Sequence, residues 1–264
     1  MNTQEFVKFI QERELIRIRR EAGHTKPWTD DPILQKYYFC NVEREQDKVT
    51  KWISHNWRTP NKNDPDLWFA MTIARNINMI ETLDHVGYPV PWDKEHFLSV
   101  MKTRKTDGLK SYGHAYMIPA GHTAGSTKPE FQANELFGPL WEARVRMRPR
   151  VGDTLQNYWE VLREEKGFGD FLAQQVVADL MFVEPLLSAE DWFTFCAPGP
   201  GSLQGMNLLL NYPLNHKWAN AEFSQAVREL QGWVNRRWEL TEPLHAQNIT
   251  NCLCEYSKYK KAQM

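Results

Sequence analysis

Residues 163–191 read REEKGFGDFLAQQVVADLMFVEPLLSAED, and the fold turns on how this stretch is read. Gly167 and Gly169 interrupt two helical runs, and Ala173 stands four residues after the second glycine, where a small side chain lets two helices approach. The pattern has the shape of a helix-hairpin-helix over about residues 155–185. Its turn, Gly167, Phe168 and Gly169, offers backbone N–H groups to a DNA phosphate much as a helix N-terminus does. Taken alone, Gly-x-Gly also fits an ordinary interhelical turn. The downstream residues narrow the reading, because Asp191 lies 22 positions beyond Gly169 and opens DWFTFCAPGPGSLQGMN. In that run Gly199, Gly201, Ser202 and Gly205 could bring backbone close to a ligand. As plain structure, Asp191 would be the N-cap or first-turn acid of a helix over 188–196.

Outward from the hairpin the chain reads as helices. Phe6, Phe9 and Ile10 at helical spacing predict a helix over 3–22, closed by Gly23. Asp31-Pro32 and Asp64-Pro65 each set a capping carboxylate before a proline suited to the first helical position, which predicts helices over 32–38 and 65–86. Val49, Trp52, Ile53 and Trp57 mark the buried stripe of another, ending before 58–63. Further helices are expected over 93–105, 130–144, 153–165, 170–183, 188–196, 219–239 and 243–260. Strand signals are sparse. The glycine-rich segment 111–128, around Tyr112, His114, Tyr116 and His122, reads as a short hairpin, an ordered active-site loop or a surface loop. No repeat or linker divides residues 1–264. The expectation is one mainly α domain, as one body or two lobes, with at most a small β-hairpin.

Of the 264 residues, 42% are hydrophobic and 25% charged, an ordinary globular balance in a chain long enough for a full core. Eleven tryptophans suit helix packing and base stacking equally. A formal net charge of −1 argues against a non-specific nucleic-acid coat protein and leaves local basic groups as candidate phosphate contacts. These are Arg13, Arg17, Arg19 and Arg20, then Lys102, Arg104, Lys105 and Lys110, then the run Arg144, Arg146, Arg148 and Arg150. No N-terminal stretch joins a basic start to an apolar run, and no apolar segment nears the roughly 20 residues of a membrane span, so a cytoplasmic chain with no membrane partner is expected. Cys40, Cys196, Cys252 and Cys254 are few and scattered, as in a reducing compartment. Cys252 and Cys254 would point about 200° apart on a helix and cannot grip one ion, so no metal site is predicted. A G-x-x-x-x-G-K-[ST] loop and a G-x-G-x-x-G after a strand are both missing, which excludes a self-contained P-loop kinase and a dinucleotide enzyme.

Two further constellations carry charge. In AQNITNCLCEYSKYKK, residues 246–261, Gln247, Asn251, Glu255 and Lys258 recur at steps of four, four and three beside Ile249, Leu253 and Tyr256. Turned outward this is a solvated face; turned inward it sets a carboxylate and an ammonium at a site. In PWTDDPILQKYYFCNVEREQDKVTKW, residues 27–52, Asn41, Arg44 and Asp47 stand three apart. On one helical face they would form a phosphate or pyrophosphate clamp. Downstream, Arg75 and Asn76 interrupt an apolar helix.

PWTDDPIL with NVEREQDKVTKW, then DFLAQQVVADL, APGPGSLQGMN and CLCEYSKY, run in that order over nearly the whole chain. Together they resemble the α-glutamyl/putrescinyl thymine pyrophosphorylase family, a group related to the helical domain of 5-hydroxymethyluracil DNA kinases and to helix-hairpin-helix DNA glycosylases. The resemblance implies a glycosylase-like helical fold in a phage enzyme of thymine hypermodification. Its partner would be double-stranded DNA carrying 5-pyrophosphoryloxymethyl-deoxyuridine, flipped out of the stack. Its reaction would replace pyrophosphate by a free amino acid such as glycine or serine, or by a polyamine such as putrescine.

By the same resemblance Asp191 takes the place of the glycosylase aspartate, stabilising cationic character or accepting the amine proton, and Glu255 is the second carboxylate. Arg44, Arg75 and Lys258 would gather about the departing pyrophosphate, with Asn41, Asp47, Asn76 and Ser202 as further substrate contacts and Arg146 and Arg148 on DNA. No cofactor is demanded, and magnesium on the pyrophosphate is compatible with the scheme. Bifunctional glycosylases carry a nucleophilic lysine close after the second hairpin glycine; Asp170 and Phe171 stand there, so a lyase reaction is not expected. Two other readings stay open, a glycosylase excising a modified uracil and a non-enzymatic DNA-binding helical module of a 5-hydroxymethyluracil DNA kinase.

Overall fold

A computed structural model describes residues 3–113 and 126–263; most of the segment expected as a hairpin or loop at 111–128 lies outside them. In chain order the α-helices are α1 (Thr3–Glu21), α2 (Pro32–Lys36), α3 (Lys48–Ile53), α4 (Leu67–Ile77), α5 (Ile80–Val86), α6 (Lys94–Thr106), α7 (Lys128–Phe131), α8 (Gly138–Glu142), α9 (Leu155–Arg163), α10 (Gly169–Leu180), α11 (Pro200–Leu210), α12 (Asn220–Asn235) and α13 (Ala246–Gln263). No strand occurs among the described residues, and the fold is mainly helical as expected. Two compact units make it up, Met1–Asp47 with Phe193–Met264, and Lys48–Trp192.

In the first unit Phe6, Phe9 and Ile10 of α1 share one apolar core with Val227 and Val234 of α12 and Leu253 of α13. The Phe6 and Tyr256 rings meet edge to face at 5.3 Å, and Phe9 and Tyr259 lie 4.7 Å apart. Asp31 caps α2 as its place before Pro32 predicts, accepting the N–H groups of Ile33 at 2.8 Å and Leu34 at 3.1 Å. The glycine-rich run near 200 forms a helix that its composition concealed. Pro200 sits in the first turn of α11, and the Ser202 hydroxyl accepts the Gly199 N–H and donates to the Gly199 carbonyl, each at 3.0 Å. Gly201 and Gly205 face α13. A Cβ at Gly205 would overlap the carbonyl oxygen of Leu253 and lie 2.6 Å from its carbonyl carbon, and one at Gly201 would overlap the Cys254 thiol. The two backbones therefore touch, which only glycine permits.

In the second unit every residue of α4 is buried. The single helix expected over 65–86 is broken at Asn78, whose φ of 48° turns the chain while its N–H closes on the Ala74 carbonyl at 2.7 Å. Asp64 does not cap α4; its carboxylate accepts the Asp66 N–H at 2.8 Å and shapes the turn before the helix. The helix expected over 130–144 is divided into α7, a wide π turn over Gln132–Phe137 and α8, because Pro139 has no N–H to continue an α ladder. α9 and α10 form the predicted helical pair. Gly167 at φ 92° and Gly169 at φ 58° supply the positive angles its turn needs, and the Trp159 indole donates to the Asp170 carbonyl at 3.0 Å across it. No helix spans 188–196: one tight turn, Leu186–Ser188, is followed by irregular chain.

α13 starts on an unusual cap, with Nδ1 of the buried His245 accepting the Asn248 N–H at 3.3 Å. Only a neutral imidazole can accept there, and burial, together with Arg44, lowers the His245 pKa from 6.5 to about 4. The folded state thus binds fewer protons than the unfolded one below pH 6.5. Its stability is complete above that pH and falls by about 3 kcal/mol as pH drops to about 4. Urea midpoints across pH 4–7 check this, and His245→Asn should flatten the curve. Gly205→Ala should cost about 1–3 kcal/mol by overpacking. Gly232→Ala, where the nearest atom to a Cβ is the Arg236 guanidinium at 3.6 Å, should instead gain about 0.5–1 kcal/mol in the same titration.

Candidate functional site

The contact of α11 with one face of α13 decides what the opposite face can do. Leu253 and Cys254 look to α11, so Asn251 and Glu255, each about 200° from Leu253, look the other way. There they meet the segment 38–47. Glu255 accepts the Cys40 N–H at 3.1 Å, Asn251 donates to the Asn41 carbonyl at 3.4 Å, and Asn248 accepts the Arg44 N–H at 3.2 Å. Gln247 and Glu255 are buried, so the polar stripe is turned inward, and Lys258 closes its exposed end. The Lys258 ammonium is 3.8 Å from Glu255, donates to the Tyr38 carbonyl and lies 4.7 Å from the centre of the Phe39 ring.

Asn41, Arg44, Asp47, Glu255 and Lys258 thus gather in the first unit, although Cys40 and Glu255 stand 215 positions apart. The clamp is not a helical face. Residues Arg44–Gln46 make one tight turn, and Asp47 folds back to accept the Asn41 N–H at 2.8 Å while the Asn41 amide donates to the Gln46 carbonyl at 2.8 Å. Two local hydrogen bonds therefore outcompete the helix that spacing alone suggests. Burial pushes the Asp47 pKa up, against the Asn41 N–H and the charges of Arg13 and Arg44.

Arg13, which its sequence neighbours place in a basic surface patch, also belongs to this cluster. It is 4% exposed and donates to the carbonyls of Cys40 and Asn41. Burial alone would lower its pKa; Cys252, Glu255 and Cys40 more than offset that, so the guanidinium stays charged. The signal was present, since Arg13 lies four residues after Phe9 and three after Ile10, on the buried side of α1.

In the second unit Asp191 holds the start of the hairpin pair, its two oxygens accepting the N–H groups of Leu155 at 2.8 Å and Gln156 at 2.9 Å. This is the capping role foreseen for it, exercised on α9 rather than on a helix of its own. Arg75 makes a two-pronged pair with Asp179 at 2.6 and 2.5 Å, both side chains buried, and also donates to Thr50 at 3.2 Å. Asp179 was missed; it stands between the apolar Val176-Val177-Ala178 and Leu180, where a lone acid signals a buried partner. Asn76 donates to the Thr72 carbonyl at 2.9 Å and accepts from Gln132 at 3.4 Å, which in turn accepts the Tyr112 hydroxyl at 2.6 Å. Arg148 forks onto Asp66 with two bonds of 2.8 Å, and Arg146 pairs with Glu165 at 2.6 Å. Phe168 is buried between the two hairpin glycines.

The first-unit cluster sets the Glu255 carboxylate beside the Lys258 ammonium, with the charge of the buried Arg13 close to it. Among the described residues no group of three or more histidine, cysteine or acidic side chains could hold a metal ion, and no helix is long and apolar enough to cross a membrane.

Comparison with known proteins gives the family. A curated relative, the 5-hmdU DNA kinase of Bacillus phage SP10, is 24% identical over 279 aligned residues that cover 96% of this chain and 44% of that protein. The chain therefore spans less than half the length of that relative. No solved structure matches the chain. The family model for the helical domain of 5-hmdU DNA kinases matches residues 2–264, and the chain belongs to that family.

Proposed function

We propose that the chain acts in the host cytoplasm on phage DNA carrying modified thymine, as a transferase that replaces the pyrophosphate of 5-pyrophosphoryloxymethyl-deoxyuridine by an amine. The observation that carries this reading is the inward stripe of α13, where Glu255 and Lys258 meet the 38–47 segment beside Arg13 and Arg44. The amine nitrogen forms a bond to the exocyclic methylene, the carbon–oxygen bond to pyrophosphate breaks, and the electron pair leaves with the anion. The surplus amine proton passes to Glu255. Arg44, Arg13 and Lys258 offset the charge of the departing group, and Asn41 offers a polar contact to the substrate, while Ser202, whose hydroxyl both accepts from and donates to Gly199, shapes the start of α11 instead.

Glu255 is the better base of the two carboxylates. Asp191 has both oxygens on backbone N–H groups and cannot turn one to an amine without uncapping α9, so its part is to hold the hairpin and to stabilise positive charge. Gly167, Phe168 and Gly169 grip a DNA phosphate, and Arg75 and Asn76 stiffen the unit that does so. A second reading is favoured by the length relation to the phage SP10 protein: a DNA-binding helical module that presents the base to a phosphotransferase.

Mass analysis of nucleosides from pyrophosphorylated DNA incubated with the chain and a panel of amino acids and polyamines decides among these. A heavier nucleoside with release of pyrophosphate is the expected result. Abasic sites would mean a glycosylase, and unaltered nucleosides with activity only on adding a partner and ATP would mean the module. In the same assay Glu255→Gln should lower turnover about 10²–10⁴-fold, and because it also removes the charge facing the buried Arg13, turnover is compared at a temperature where both proteins are folded. Asp191→Asn should lose about 1 kcal/mol of stability as well as turnover.

A further inference from the structure

The first-unit cluster carries at its edge an aromatic ring that the core does not use. Tyr38 is 72% exposed, and among the described residues no ring packs on it and no hydrogen bond holds its hydroxyl. Its backbone, by contrast, is held on both sides. The Tyr37 N–H closes α2 on the Ile33 carbonyl at 2.9 Å, the Tyr38 carbonyl accepts the Lys258 ammonium, and the Cys40 N–H goes to Glu255 at 3.1 Å. Phe39 is the anchor, edge to face with the Phe9 ring at 5.9 Å. A ring kept in water on a chain so tied has little backbone freedom left to lose on contact, which suits a stacking surface for a flat ligand. Lys258 links that ring to the carboxylate: its ammonium lies 5.9 Å from the centre of the Tyr38 ring and 3.8 Å from Glu255. Two exposed cations stand close by. Lys36 rests 5.2 Å from the Tyr37 ring, and Arg20, in the last turn of α1, is near enough for its charge to act on the Tyr38 phenol. Neither forms an ion pair among the described residues.

We propose that Tyr38 is the platform on which the extruded pyrimidine stacks, its exocyclic methylene toward Glu255, with Arg20 and Lys36 on the phosphates beside it. The inference rests on the reading of the chain as one that acts on a flipped base, and it names the surface that captures the base in the unit holding the proposed chemistry. A base driven out of a duplex loses stacking on both faces, and an aromatic ring restores one of them whatever the pattern of hydrogen bonds at the base edge. Charge favours a nucleotide over an apolar peptide or a lipid tail, since a nucleotide brings a π face to the ring and a phosphate to the two cations, which an apolar partner would leave unmatched. Burial sets the orientation. Glu255 is 8% exposed, so a slender group meets it more readily than a ring does, and the exocyclic methylene is the slender projection a pyrimidine offers once its face lies on Tyr38.

The test is a duplex with 5-hydroxymethyluracil beside 2-aminopurine, whose fluorescence rises when its neighbour leaves the stack, titrated with the whole chain. The wild type should raise the signal. Tyr38→Ala should cut the rise about tenfold, and Tyr38→Phe, which keeps the ring and removes only the hydroxyl, should retain it. Arg20→Gln combined with Lys36→Gln should weaken binding to this duplex and to a plain thymine duplex alike, and make it less dependent on salt. No rise with wild type, an equal rise with Tyr38→Ala, an equal loss with Tyr38→Phe, or an unaltered salt dependence in the double variant overturns the inference. The nucleoside assay separates the two failures. Heavier nucleosides formed equally by wild type and Tyr38→Ala would refute the platform and leave the transferase standing. A rise that needs the ring, with no heavier nucleoside from wild type, would keep the platform and discard the transferase.

Discussion

The contact on which the first unit depends is that of two helix backbones at Gly205 and Leu253. Helices normally pack through side chains at axis separations of about 8–10 Å, and the absence of a Cβ at Gly201 and Gly205 brings α11 and α13 nearer than that. So close an approach fixes the rotation of α13 about its axis, since any other residue pair at the seam would clash. With Leu253 and Cys254 committed to α11, the polar stripe has a single direction left, and Asn248, Asn251 and Glu255 meet the backbone of the 40–44 segment. The carboxylate is thus placed by a glycine on a different helix, some fifty positions earlier in the chain.

The second unit is organised around charge. Arg75 lies on a helix buried along its whole length, a position that would be ruinous for a lone guanidinium, and Asp179 of α10 answers it with two short bonds. Arg58 adds a bond to the Asp179 backbone carbonyl at 3.2 Å and stacks 4.9 Å above the Phe182 ring. A pair of this kind adds less to stability than apolar side chains of equal volume would, but it fixes register, because sliding α4 by one residue against α10 leaves two buried charges unmatched. The hairpin of α9 and α10 is tied to α4 by that demand.

Elements whose causes are local were legible in the sequence. Asp31-Pro32 announced α2, the spacing of Phe6, Phe9 and Ile10 announced α1, and Gly167 with Gly169 announced the turn between α9 and α10. Elements whose causes are distant were not. Ala197–Gly205 reads as loop by composition, yet Gly201 and Gly205 answer a partner helix that no local window contains. Asn78 divides the 65–86 helix by adopting a left-handed conformation that asparagine tolerates and does not require. In the candidate site, the residue types of Asn41, Arg44 and Asp47 were readable and their geometry was not, because Asp47 satisfies the Asn41 N–H and closes a turn where periodicity asked for a helix.

Asp191 shows most clearly what spacing can and cannot carry. The resemblance to hairpin-type glycosylases implies a catalytic carboxylate at about its distance from Gly169, and the structure supplies a mechanical reason for the same distance. α10 runs back along α9, so the chain leaving Leu180 emerges beside the start of α9 and needs only the turns over 181–190 to bring a carboxylate to the free N–H groups of Leu155 and Gln156. Any chain that closes such a helical pair with an acid would show this spacing, with or without chemistry. What bears on chemistry is the freedom of the carboxylate oxygens: in Glu255 one oxygen takes the Cys40 N–H and has the Lys258 ammonium beside it, whereas both oxygens of Asp191 hold a helix together.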